Sequence, residues 1–85
     1  MVSAQVQIRT LHGLHLRPAG ELAEHALKYR CKITLCHGDK EVSAKSLLGV
    51  LSLCIRQNTE ITVCCDGMDE EEALSGMIEF IEHLY

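Results

Sequence analysis

Hydrophobic and polar residues alternate along the first stretch of the chain: Val2, Ala4, Val6 and Ile8 interleave with Ser3, Gln5, Gln7 and Arg9. A period of two predicts a strand with one buried and one wet face. From Leu16 the period lengthens. Ala19, Leu22, Ala23, Ala26 and Leu27 fall on one side of a helix, with Glu21, Glu24, His25 and Lys28 elsewhere. Pro18 falls in its first turn, where a missing N–H deprives the helix of nothing. Alternation returns at Cys31, Ile33 and Leu35, set against Lys32 and Thr34. Gly38-Asp39 predicts a tight turn, and Lys40 to Ala44 the returning strand of a hairpin.

Ser46 precedes the apolar run LLGVLSL, which suits about two helical turns capped by the serine hydroxyl. Asn58 is placed to end a turn, because asparagine tolerates positive φ better than most residues. Glu60 to Cys65 alternates again, with Ile61, Val63 and Cys65 inward. Asp69 and Glu72 have the spacing of a capping box, and the acidic run between them suits the positive end of a helix dipole. Ala73, Leu74, Met77, Ile78, Ile81 and Leu84 then form an apolar stripe. The order is βαββαβα in one domain, residues 1–85. The expected fold is α+β: an open-faced two-layer sandwich, with three helices on one face of a four-stranded, mainly antiparallel sheet. Ser3, Gln5, Gln7, Lys32, Thr34, Glu60 and Thr62 predict that the other sheet face is solvated.

Composition narrows the function. A chain of 85 residues has no room for a separate catalytic lobe, so active groups belong at the edge of one modest core. The net charge of −4, with Tyr29, Phe80 and Tyr85 as the only rings of Phe, Tyr or Trp, argues against a nucleic-acid surface. No apolar run has the length of a membrane span, and MVSAQVQIRT lacks a signal peptide's apolar stretch, so a cytoplasmic location is expected. Cys31, Cys36, Cys54, Cys64 and Cys65 are odd in number and form no C-x-x-C pair. They read as packed thiols of a reducing compartment. Cys36 and His37 lack the partner spacing of a metal centre, so no metal is expected.

The chemistry concentrates in His12-Gly13-Leu14-His15-Leu16-Arg17-Pro18-Ala19. This segment puts His15 where a glycine-containing loop meets a helix N-terminus, whose first N–H groups lack intrahelical partners and carry partial positive charge. Such a terminus attracts anions. Arg17 adds a permanent cation suited to phosphate oxygens. The same field favours the neutral imidazole, the form that can attack phosphorus. From spacing alone, a capping histidine beside an unrelated surface arginine is the competing reading.

The strings GLHLRPA, KSLLGVLSL, EITV and GMDEEEAL, in that order, resemble the HPr family, the histidine-containing phosphocarriers of the bacterial phosphoenolpyruvate-dependent sugar phosphotransferase system. The resemblance runs from the first strand to the last helix. It implies a carrier rather than a turnover enzyme, phosphorylated on His15 Nδ1 by enzyme I and donating to sugar-specific IIA domains. It implies that Arg17 assists the phosphoryl group and that Ser46 is a regulatory phosphorylation site. In low-GC Gram-positive bacteria an HPr kinase/phosphorylase acts on that serine, and the product serves as corepressor for a catabolite-control transcription factor. No cofactor, membrane insertion or direct nucleic-acid contact is implied, and a monomer is expected.

Leu47, Leu48 and Leu51 cannot all face inward on a two-turn helix; with Leu16 and Gly20 they make the expected partner surface. Four residues depart from the family's habit and bear on partner choice: His12 for a small polar residue, Leu16 for alanine or threonine, Gly20 for alanine, and Cys54 for a small residue. His25, His37 and His83 fall on expected surface positions. Two alternatives stand beside the relay: a non-relay regulator acting through Ser46 in carbon catabolite repression, and a carrier on a nitrogen-related branch. Regulatory paralogues lack the active histidine, which this chain keeps.

Overall fold

Seven elements form in the expected order in the computed structural model, which describes residues 1–84. They are β1 (Val2–Gln7), α1 (Leu16–Ala26), β2 (Lys32–His37), β3 (Lys40–Ser43), α2 (Leu47–Ser52), β4 (Glu60–Asp66) and α3 (Glu70–Glu82). The strands make one sheet in the order β1-β4-β2-β3, and each adjacent pair is antiparallel. The register aligns the inward residues: Val6 opposes Ile61, and Leu35 and Ala4 flank Val63. A slip of one residue would turn each of these to water.

The helices cover that inward face. Leu22 and Ala26 of α1, Val50 of α2, and Met77 and Ile81 of α3 join Val6, Ile33, Leu35, Ile61 and Val63 in one core. On the opposite face Ser3, Gln5, Gln7, Lys32 and Glu60 are exposed, while Thr34 and Thr62 are half-buried. The open-faced α+β sandwich is therefore the fold. Asn58 has φ 67°, as its place at a turn requires. Tyr85 lies outside the described residues.

Four expectations need correction. Leu27 is 63% exposed, because regular helix ends at Ala26. The chain then tightens, with Lys28 N–H on His25 O and Tyr29 N–H on Ala26 O, and Leu27 leaves the buried side. The capping box of Asp69 and Glu72 does not form. Instead the Asp69 carboxylate accepts the N–H groups of Arg30 and Cys31, each at 2.9 Å. Those two N–H groups precede the β2–β4 ladder, which begins at Lys32, and a charged acceptor outcompetes the local cap. Glu70 takes over at the helix start, accepting Gly67 N–H at 3.1 Å.

Like His37, His25 is half-buried, not a plain surface residue. Its ring stacks on Phe80 at 4.3 Å and 11°, and meets Tyr29 edge-on, which ties α1 to α3. Burial holds its imidazole below the ordinary histidine value, with Lys28 adding to the effect. The fourth correction is Cys54, which is exposed with φ 53°. The other cysteines are buried or half-buried, and all five are free thiols. Burial pushes the Cys65 thiol up to about 12, which suits an inert core residue.

Candidate functional site

The loop between β1 and α1 is built by backbone constraints that begin where the strand ladder stops. Ile8 exchanges hydrogen bonds with the segment before β4: Ile8 N–H donates to Thr59 O at 2.8 Å, and Asn58 N–H donates to Ile8 O at 2.6 Å. Thr10, nearly fully buried, closes a turn. Its carbonyl accepts Gly13 N–H at 3.0 Å, and its hydroxyl donates to Gly13 O. Leu14 N–H then reaches across to Ile55 O at 3.0 Å. Gly13 sits at φ 68°, and a Cβ there would strike the Ile55 carbonyl and the Arg56 backbone. Only glycine fits so close an approach.

This loop delivers His15 to the N-cap of α1, in extended backbone with φ −78° and ψ −174°. The His15 carbonyl accepts Ala19 N–H at 3.0 Å, starting the helix. The imidazole makes no cap hydrogen bond and is exposed. The N–H groups of Leu16 and Arg17 have no intrahelical acceptor at this terminus, and Pro18 has no N–H to offer. The ring of His12, on a backbone of φ 76°, lies 6.0 Å from that of His15, centroid to centroid, at 62°.

Arg17 is highly exposed, and its Nε lies 3.8 Å from Glu21 Oε1. A surface pair of that length contributes little, so the guanidinium is readily recruited elsewhere. The two segments that meet here, residues 8–20 and 53–59, carry Arg9, Arg17 and Arg56, and each is followed directly by an acid, Glu21 and Glu60. His15 and Arg17 thus share the N-terminal end of α1. Among the described residues no three His, Cys, Asp or Glu side chains converge as a metal site.

Ser46 is the N-cap of α2: its Oγ accepts Gly49 N–H at 3.0 Å, and its carbonyl accepts Val50 N–H at 2.9 Å. Of the residues expected on the partner surface, Leu16 is 64% exposed, Leu48 79% and Leu47 37%. Leu51 is half-buried against the core, and Gly20 is half-buried with open space where a side chain would stand. Because α1 and α2 pack together, these positions lie on neighbouring helices.

Leu11, 65% exposed and next to His12 in the chain, was not singled out from the sequence, nor were the docking of Gly13 on Ile55 and the nearness of the Arg56 backbone. The Thr10-to-Gly13 turn is the one local signal that pointed to that docking. A groove of about 520 Å³, lined by Val2, Leu74 and Ile78 among others, runs between β1 and α3. None of its residues belongs to the His15 or Ser46 segments. No helix among the described residues is long and apolar enough to cross a membrane.

Comparison with known proteins agrees with this geometry. The family profile described as "PTS HPr component phosphorylation site" matches residues 2–83. The chain is 37% identical over 84 residues to the phosphocarrier protein HPr of Haemophilus influenzae, covering 99% of each chain. It is 38% identical over 82 residues to the HPr-like protein Crh of Halalkalibacterium halodurans, covering 96% of this chain and 98% of that one. The crystal structure of HPr-C-His from Thermoanaerobacter tengcongensis superposes with a TM-score of 0.92 at 34% identity, covering 96% of this chain and 92% of that one. With the profile matching from the first strand to the last helix, the chain belongs to the HPr family of phosphotransferase-system phosphocarriers.

Proposed function

We propose that this chain is a stoichiometric phosphoryl carrier that accepts a phosphoryl group on His15 from enzyme I and donates it to sugar-specific IIA domains. The observation that carries this reading is His15 itself: an exposed imidazole at the N-cap of α1 that makes no cap bond, with Arg17 exposed in the first turn of the same helix. Neutral imidazole attacks phosphorus; the terminal N–H groups and Arg17 receive the oxygens. Nothing in the reaction calls for a cofactor. The chain acts as a single-domain monomer in the cytoplasm, meeting its partners through Leu16, Gly20, Leu47, Leu48 and Leu51. The test is a relay assay: chain loaded from enzyme I should pass label to a IIA domain, and label that stays on the chain would contradict the carrier role.

Ser46 adds regulation. In this reading an HPr kinase/phosphorylase modifies it, and the product binds a catabolite-control transcription factor. The similarity to a Crh protein supports a second reading, in which the chain is a regulator working through Ser46 alone. Retention of His15 favours the relay. The same assay separates the two, because a pure regulator takes no label from enzyme I.

A further inference from the structure

Two histidines share the surface of the loop that leads into α1. Their rings meet edge-on at 6.0 Å and 62°, too far apart to bond each other but within reach of an oxygen carried on one of them. His12 is exposed, yet its place is set: its backbone lies at φ 76°, and the next residue is wedged against Ile55 and Arg56. The elements packed round this loop bring Arg9 after β1, His15 and Arg17 at the start of α1, and Cys54 and Arg56 after α2. Of the acids nearest in sequence, Glu21 has its carboxylate 3.8 Å from Arg17 Nε, and Glu60 is exposed on β4, opposite Gln7 of β1.

A phosphoryl group on His15 brings about −1.5 to −2 charges to the neighbourhood of the His12 ring, and a nearby negative charge favours the protonated imidazole. We infer that His12 is the positioning partner of a phosphoryl group on His15, taking up a proton as the group arrives and donating an N–H to one of its oxygens; this rests on the phosphocarrier reading of His15. In the step, the lone pair of neutral His15 forms the new N–P bond. The donor's bond to phosphorus breaks, its electron pair stays on the donor, and one solvent proton moves to His12. Onward transfer returns that proton.

The experiment loads the full chain with phosphoramidate, a small N–P donor that requires no protein partner, and follows the imidazole nitrogens by NMR at neutral pH. His12 should pass from a singly to a doubly protonated ring when His15 is phosphorylated. His12→Asn keeps a pH-independent donor on a residue that tolerates positive φ. The parent should therefore hold its phosphoryl group several-fold longer relative to this variant at about pH 6 than at about pH 8. A His12 ring that stays singly protonated, or a lifetime ratio that ignores pH, overturns the inference while leaving the carrier reading intact. No label on His15 overturns both.

Discussion

At the scale of single residues the site divides into what local sequence encodes and what only the fold supplies. The setting of His15 and Arg17 was legible because a histidine just ahead of Arg-Pro marks a helix start, and the structure places His15 at the N-cap of α1 and Arg17 in its first turn. The setting of His12 was not legible. Its φ of 76° and its edge-on approach to His15 depend on Gly13 docking against Ile55, a residue more than forty positions away. Arg17 offers a direct test of the chemistry. Lysine in its place keeps the charge and loses the planar fork. Arg17→Lys should slow transfer from His15 by roughly tenfold, about 1.4 kcal/mol of transition-state stabilisation, with a smaller change in partner affinity. Stopped-flow transfer at the parent rate would reduce Arg17 to a point charge.

At the scale of elements, α2 is short and its start depends on one hydroxyl, Ser46 Oγ on Gly49 N–H at 3.0 Å. Aspartate is as good an N-cap as serine, so Ser46→Asp should leave the melting temperature within a few degrees of the parent. The new charge, however, stands next to Leu47 and Leu48 on the proposed docking face, where like charges cost an approaching partner. Phosphorylation of His15 by enzyme I should slow, and added salt should restore part of the rate. Early melting, or a slow rate that ignores salt, would place the effect in the fold instead.

The α1–α3 contact makes a second test at this scale. His25, stacked on Phe80, is held below its ordinary value of 6.5 by burial. Protonating it costs the folded chain more than the unfolded one, so its contribution is present above that ordinary value and is lost as pH falls through the lower folded value. Thermal melts from about pH 7 to about pH 5 should therefore show a steeper loss for the parent than for His25→Gln. Asp69 acts in a separate, more acid window. The Arg30 and Cys31 N–H groups hold its carboxyl below the usual range of 3.8, so its share is lost only as pH falls below that. Equal slopes for parent and variant would show that His25 is not the group responsible.

At the scale of the whole molecule, periodicity carried the architecture: alternation at Val2–Ile8 and Glu60–Cys65, and the stripe ending at Leu84, placed the strands and helices in order. It could not reveal the β1-β4-β2-β3 arrangement, which depends on long-range pairing rather than local pattern. It also misplaced the Asp69 side chain, because a spacing rule cannot see N–H groups nearly forty residues away. The same topology brings residues 53–59 to the His15 loop. The proposal of phosphoryl transfer rests on the exposed His15 at the N-cap of α1. Its most direct test is intact-mass measurement of the parent and His15→Ala after incubation with enzyme I and phosphoenolpyruvate. The parent should gain one phosphoryl group that is lost in acid, and the equally stable variant should gain none. An unmodified parent, or a variant that still takes up label, would contradict the assignment of His15 as the carrier.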